Sequence, residues 1–427
     1  MEIEKLYQVF LQSRRVSTDT RKIDPSSIFF ALKGPNFDAN AFADEALSKG
    51  ASLAVIDNPK FERPGKTFLV ADVLEALQQL ASHHRAKLKI PVIGLTGSNG
   101  KTTTKELLSA VLSKKFKTFA TTGNLNNHIG VPLSILSIDD SIEIAVIEMG
   151  ANHVGEIALL CSMANPTHGF ITNIGKAHIG TFGGFENIIR GKSELFQHLI
   201  STNGTVFINS QNEILANMAK RFQSPVLYPS LGDYLHVKFL ASNPFLTFQS
   251  ENGKTITTHL TGGYNFENVA VALCIGKYFG VPEADAHVAV AGYTPANMRS
   301  QIIKKGSNTI ILDAYNANPS SMEAAIKNLA SMNSENKAAI LGDMFELGEE
   351  SENEHRAIGK LLRDCQFKQV LLCGSLMRWA KVEYPQAIHF EKKDSLIDYL
   401  KTNRIENSTI LVKASRGIGL ETVVDYL

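Results

Sequence analysis

Residues 96–104 read Thr-Gly-Ser-Asn-Gly-Lys-Thr-Thr-Thr. They follow the apolar run Pro91-Val92-Ile93-Gly94-Leu95 and lead into a helical pattern through Leu107, Leu108, Val111 and Leu112. A strand, a glycine-rich turn and a helix start, in that order, predict a cradle for a triphosphate. Gly97 and Gly100 let backbone N–H groups close on phosphate oxygens, and the helix N-terminus adds the positive end of its dipole. Thr96, Ser98, Asn99 and Thr103 complete the loop; Lys101 is expected to reach the β- and γ-phosphates and the Thr102 hydroxyl to ligate Mg²⁺. The loop is a short variant, because Leu95 stands where the general pattern wants glycine six residues before Lys101.

Other residues could serve the same site. Glu148 ends the apolar strand Ile144–Glu148, and the carboxyl end of a parallel strand is where such sheets present ligands. A carboxylate there can bind Mg²⁺ directly or through water, or can simply cap a helix. Asn265 and Asn268 lie three apart on one helix face, and an amide's paired donor and acceptor suits an adenine edge; Asn265 also reads as a helix cap. On residue type alone, His178 in its glycine-rich loop reads as structural and Lys192-Ser193-Glu194 as a solvated helix face.

The elements that must hold these residues form three α/β blocks. Residues 1–86 carry short strands at 28–32, 52–56 and 67–70, with helices at 41–49 and 73–87, and make a small substrate-holding domain. Residues 87–300 alternate strands (92–95, 144–148, 169–172, 205–208) with helices (102–115, 154–163, 185–200, 211–222), the pattern of a mostly parallel sheet. Residues 234–260 break it with short alternating stretches that predict an antiparallel group before a helix at 265–279. The pattern restarts over 301–427, with strands at 309–313, 338–341, 370–373, 387–390 and 409–412 and helices at 319–332, 351–364, 394–403 and 420–427. The segment 293–300 between the last two blocks has hinge-like composition.

Composition excludes several classes. The chain has 427 residues, with 43 Lys+Arg against 42 Asp+Glu, so nothing favours nucleic acid or an anionic membrane surface. Cys161, Cys274, Cys365 and Cys373 show no Cys-x-x-Cys or Cys/His pairing, which argues against zinc and a disulfide framework and fits a reducing compartment. No apolar run approaches the roughly 18 residues a membrane span needs. The expectation is a cytoplasmic enzyme acting as a monomer.

The order of further motifs resembles the Mur ligase family across nearly the whole chain. They are Gly123-Asn-Leu-Asn-Asn127, Glu148-Met-Gly-Ala-Asn-His-Val-Gly-Glu156, Asn173-Ile-Gly-Lys-Ala-His178, Lys192-Ser-Glu194, Tyr264-Asn-Phe-Glu-Asn268 and Asp313-Ala-Tyr-Asn-Ala-Asn318. Thr18-Asp-Thr-Arg-Lys22 and Ala31-Leu-Lys-Gly34 fit the same pattern. Among its members the segments look like those of the ligase that adds D-alanyl-D-alanine to a UDP-N-acetylmuramoyl tripeptide, a step in peptidoglycan synthesis and hence in cell shape and division. The resemblance implies a central P-loop-type ATPase domain, a C-terminal Rossmann-like domain, ATP and two Mg²⁺ ions. It implies that Lys101, Glu148, His178 and Lys192 are catalytic, and that Thr102, Glu148, His178 and Lys192, the last as a carbamate, surround the metals. Arg299 and Asp313 would meet the nucleotide; Asp313 could instead cap the following helix. Thr20, Arg21 and Lys33 would bind the uridine diphosphate, and Asn124, Asn126 and Asn127 the muramoyl-peptide arm. Tyr315, Asn316, Asn318, Asp343, Lys413, Ser415 and Arg416 would hold the incoming dipeptide. Two positions depart from the family: Tyr264 stands where a histidine is usual, and Ala414 where glycine is usual. The competing readings are a sister Mur-type or folylpolyglutamate-type ligase adding one amino acid, a nucleotide-binding regulator without ligase chemistry, and a kinase. Asn-Leu-Asn-Asn and Asn-Ala-Asn-Pro argue against the first.

Overall fold

In the computed structural model, which describes residues 2–427, the phosphate loop grows out of the middle of a six-stranded parallel sheet. The spatial order is Val226–Tyr228, Thr205–Asn209, His168–Ile171, Val92–Thr96, Ile144–Glu148, Thr118–Ala120. Strands of near-continuous Val, Ile, Leu and Phe suit a sheet covered on both faces, and Val92–Thr96 and Ile144–Glu148 are buried throughout. The winding reverses beside Val92–Thr96, which has Ile144–Glu148 on one side and His168–Ile171 on the other. The carboxyl ends of these strands therefore open a crevice, and Thr96 and Glu148 stand at its edge.

A smaller sheet precedes it: Val16–Ser17, Ile28–Phe30, Leu53–Ile56 and Thr67–Leu69, all parallel. A third sheet follows, in the order Gln301–Lys305, Asn308–Leu312, Thr409–Lys413, Lys337–Gly342, Gln369–Cys373, Ile388–Phe390. It is parallel except for its first strand. The antiparallel group expected over 234–260 is Lys238–Ser242, Phe245–Gln249 and Thr255–Thr261.

Several elements differ from the sequence reading. The single helix expected over 185–200 is two, Phe185–Lys192 and Glu194–Ser201. The Ser193 hydroxyl donates back to the Ile189 and Arg190 carbonyls and turns the chain there. The expected helix at 420–427 is a 3₁₀ winding over Leu420–Tyr426. Helices Glu2–Ser13, Gly130–Leu136 and Glu283–Gly292 and the antiparallel strand Gln301–Lys305 are additional. Helix Val73–Lys87 matches its expected limits, but it packs on Gly130–Leu136 and Glu156–Ala164 as well as on Glu2–Ser13. The core of the first block is thereby continuous with that of the second.

Candidate active site

A cavity of about 800 Å³ lies between the central and C-terminal sheets, floored by the phosphate loop. The loop's shape depends on two glycines. Gly97 has φ +148° and a Cβ there would sit 1.9 Å from Thr172 Oγ1; Gly100 has φ +78° and a Cβ would sit 2.5 Å from Asn268 Oδ1. Side chains at either position would push the loop off its neighbours. Gly100 caps helix Lys101–Leu112, whose first turn carries no acidic residue, so its exposed N–H groups and dipole are left for an anion. Lys101 Nζ donates to the Gly97 carbonyl at 2.7 Å, folded over the loop it would serve. Burial pulls its ammonium below the usual lysine range.

Glu148 is 1% exposed. Its Oε1 accepts from Asn126 Nδ2 at 2.8 Å and from the Thr102 hydroxyl at 3.3 Å. Its Oε2 is buried with no hydrogen-bond partner, and the nearest cation, Lys105 Nζ, is 3.8 Å away. A buried, orphaned carboxylate oxygen beside a phosphate-loop hydroxyl is an all-oxygen donor set suited to Mg²⁺. Among the described residues no group of three His, Cys, Asp or Glu side chains could hold a metal by itself. That fits an ion which takes one or two protein oxygens and completes its shell with phosphate and water.

The same cavity is lined by Ser98, Asn99, Thr103, Asn124, Asn126, Asn127, His178, Asn265, Asn268, Arg299, Asp313, Tyr315, Asn316, Asn318 and Lys413. Thr96 and Gly97 lie just behind. Asn265 and Asn268 are partly committed: Asn268 donates to Asn265 Oδ1 at 2.8 Å and accepts from the Thr104 hydroxyl at 3.0 Å. They brace helix Asn265–Tyr278 against the phosphate-loop helix as well as facing the cavity. Arg299 lies over the Tyr315 ring at 3.8 Å, with its Nε buried and unpaired, as an anion-seeking guanidinium would be. Asp313 accepts from Lys413 Nζ at 2.5 Å and from the Ser300 N–H at 3.0 Å, which ties the third sheet to the segment carrying Arg299.

Lys192 does not line the cavity. It is 1% exposed, with Nζ 5.5 Å from the centre of the Phe182 ring. Burial, and then the charge of Lys101, push its pKa well below the ordinary lysine value, so a neutral amine is favoured there. Asp343 and Ser415 are also off the cavity and hold their own sheet together. Asp343 Oδ1 accepts from the Leu376 and Met377 N–H groups at 3.1 and 2.9 Å, and Ser415 Oγ accepts from the Phe345 N–H at 2.9 Å. Arg416 is half exposed beside Glu421. Thr20, Arg21 and Lys33 stand apart in the first block, the first two in the 3₁₀ turn Thr20–Lys22 and Lys33 in a short hairpin with Phe37–Asp38, Arg21 paired with Asp19 and Lys33 with Asp57.

Models of the Mur ligase middle domain and of the Mur ligase, glutamate ligase domain match residues 95–276 and 298–416. The chain is 36% identical to the UDP-N-acetylmuramoyl-tripeptide–D-alanyl-D-alanine ligase of Bacillus subtilis (strain 168), over 96% of this chain and 92% of that one. The chain belongs to the Mur ligase family. Its fold superposes on MurF from Acinetobacter baumannii with a TM-score of 0.87, at 31% identity over 96% of this chain and 92% of that one. MurF from Thermotoga maritima, solved in complex with ADP, gives 0.86 at 29% identity over 97% of both chains.

In this Mur ligase the sequence reading overlooked two contributors. Lys105, one turn beyond Lys101, is 3% exposed and is the cation nearest Glu148. Its spacing of four from Lys101 places it on the same helix face, a signal that was readable. Glu346 pairs with His178 Nδ1 across the two sheets. No local pattern could have joined residues so far apart in sequence.

Proposed function

We propose that this chain is an ATP-dependent ligase that joins D-alanyl-D-alanine to UDP-N-acetylmuramoyl tripeptide, giving the pentapeptide precursor of peptidoglycan, ADP and phosphate. The observation that carries the reading is the convergence on one cavity of the phosphate loop, the orphaned Glu148 oxygen and the unpaired Arg299 Nε. The names of the relatives supply the substrates.

The tripeptide carboxylate attacks the γ-phosphorus, ADP leaves, and an acyl phosphate results. The free amine of D-alanyl-D-alanine then adds to the acyl carbon, and phosphate leaves from the tetrahedral intermediate. Lys101 and the loop N–H groups hold the transferring phosphoryl charge, and Arg299 meets the same charge from the C-terminal side. Mg²⁺, bound by Thr102 and Glu148 with His178 near a second ion, would neutralise repulsion between carboxylate and triphosphate. Asn124, Asn126 and Asn127 steer the peptide arm; Tyr315, Asn316, Asn318 and Lys413 face the dipeptide, with Asp343, Ser415 and Arg416 shaping the loops behind. Residues 1–86, with Thr20, Arg21 and Lys33, would hold the uridine diphosphate, 87–300 the ATP and 301–427 the dipeptide. Closure of the last block would keep water from the acyl phosphate. The enzyme would act as a cytoplasmic monomer; no described helix is long and apolar enough to cross a membrane.

Lys192 belongs in this proposal as a carbamate. Its neutral amine can add CO₂ with loss of a proton, which places an anion beside Lys101. With ¹³C-bicarbonate, wild-type protein should show a carbamate carbonyl resonance that Lys192→Arg lacks.

The deciding experiment is phosphate release from ATP with UDP-N-acetylmuramoyl tripeptide and, in turn, D-alanyl-D-alanine, D-glutamate and diaminopimelate. Release only with the dipeptide supports the reading; release with a single amino acid would reassign the chain to a sister ligase.

A further inference from the structure

The loop after strand Lys337–Gly342 carries a residue that the proposed reaction has not yet used. Glu346 leaves the third sheet and its carboxylate meets His178 Nδ1 on the central block. Both are non-glycine residues in the left-handed region, Glu346 at φ +64° and His178 at φ +57°. Residues held that way persist where the surroundings over-determine them. Here they do. The Gly180 N–H donates to the Glu346 carbonyl at 3.1 Å, and a Cβ on Gly180 would lie 2.5 Å from Gly348 N. The two loops thus meet backbone to backbone. The Glu346 loop is fixed to its own sheet as well: the Met344 N–H donates to His355 Nε2 at 3.1 Å and the Phe345 N–H to Ser415 Oγ at 2.9 Å.

An ion pair with side chains 23% and 47% exposed adds little stability, so stability does not account for this arrangement. Orientation does. A carboxylate only accepts, so the His178 proton sits on Nδ1 and, in the neutral ring, Nε2 keeps its lone pair. A carboxylate behind a histidine is also how imidazoles are set for metal ions.

We infer that Glu346 is a positioning residue that fixes the His178 ring and tautomer from the opposite sheet, so that the triphosphate site is complete only when the two blocks are docked. This rests on the proposed ligase reading for the role of His178.

The experiment uses full-length protein. Glu346→Ala should lower kcat about 10–100-fold, the range seen when a partner behind a metal ligand is removed, with KM for ATP and dipeptide within about threefold. The ¹⁵N signals of His178, identified by their loss in His178→Gln, should move from an Nδ1-protonated ring toward a mixture of tautomers. Glu354→Gln breaks the neighbouring Lys176–Glu354 pair, 2.6 Å long, between the same two blocks without touching His178, and should leave kcat within about threefold. An unchanged kcat in Glu346→Ala, or an equal fall in Glu354→Gln, overturns the inference. Should Glu346→Ala not fold, the wild-type spectrum still decides: a His178 ring protonated on Nε2 overturns it and one protonated on Nδ1 supports it. Wild-type protein that releases no phosphate with acceptor and dipeptide would instead sink the ligase reading.

Discussion

The central sheet meets its two neighbours with different balances of apolar and polar contact. Toward the first block the seam is dry. Leu77, Leu80 and Ala81 of helix Val73–Lys87 share a core with Val131, Ile135, Leu160 and Met163. The buried Arg85 donates to the carbonyls of Ala164, Asn165 and Leu88 at 2.7–2.9 Å, and His84 Nε2 bonds the Ile138 carbonyl at 2.8 Å. Toward the third block some apolar contact continues, since Ile179 and Phe182 share that core with Met344 and Leu347, but the rim of the cavity is built from polar pairs: Asn318 to Asn99 at 2.7 Å, the Lys176 N–H to Ser320 Oγ at 3.1 Å, Lys176 to Glu354, and His178 to Glu346. A dry seam holds its partners in one arrangement, because parting them exposes apolar surface and strips bonds from buried groups. A polar seam exchanges its bonds for water at small cost and can open. On the proposed closure, the first block would serve as a platform for the central sheet and the third as a lid.

If that division holds, removing a cation that faces the cavity should cost catalysis and spare stability. The largest such effect is expected for Lys101→Ala. Loss of an electrostatic donor to charge developing in the transition state lowers kcat by about 10²–10³-fold. Because Lys101 bonds mainly to its own loop, the thermal midpoint should hardly change. Steady-state phosphate release and calorimetry on the same preparation test both halves. A large loss of stability in this variant would break the comparison from the wet side.

Arg85→Ala tests the dry side. It strands the buried Ala164 carbonyl and removes two part-buried bonds to Leu88 and Asn165, so a loss of about 2–3 kcal/mol is expected in denaturant unfolding. The folded fraction should retain its turnover per molecule, since Arg85 does not line the cavity. A variant that stays stable but loses kcat would show that the platform also moves.

Much of this was legible in the sequence, and unevenly so. The phosphate loop, the strand ending at Glu148 and the antiparallel group are local patterns: glycine placement and alternation over a few residues determine them. Helix Val73–Lys87 was equally plain as an element. Its allegiance was not, because the stripe of Leu77 and Leu80 says that a face is buried without saying against what. Asp343 and Ser415 show the converse. Each stands in a strand-end loop where a ligand contact is plausible, yet backbone N–H groups of the folded chain claim their oxygens. Lys192 reads as a surface lysine until the fold buries it beside Lys101. Pairings between distant segments, His178 with Glu346 above all, become visible only when the sheets are assembled.

The smallest effect concerns acid. Burial, followed in size by the bond to the Ile138 carbonyl that opposes it, leaves the His84 pKa below the ordinary 6.5. The folded protein therefore holds this ring neutral where the unfolded chain would already take up a proton. Stability from His84 is full above about pH 6.5 and is lost as the pH falls through the lower folded value, since the unfolded state then binds more protons. The thermal midpoint should drop by a few degrees between pH 7 and pH 5. Burial also lowers His168, to about 4, so the wild-type slope is shared, and the informative quantity is the difference from His84→Gln. That variant should start less stable at pH 7 and fall less steeply. The seam on which His84 sits then sharpens the comparison: opening the platform should bring Glu2–Ser13 with it, because Tyr7 OH lies 3.3 Å from His84 Nδ1. Acid-induced hydrogen exchange should thus appear together in Glu2–Ser13 and Val73–Lys87, before the central strands. Exchange that began at the lid while helix Val73–Lys87 stayed protected would place the acid-sensitive joint on the wrong side of the molecule.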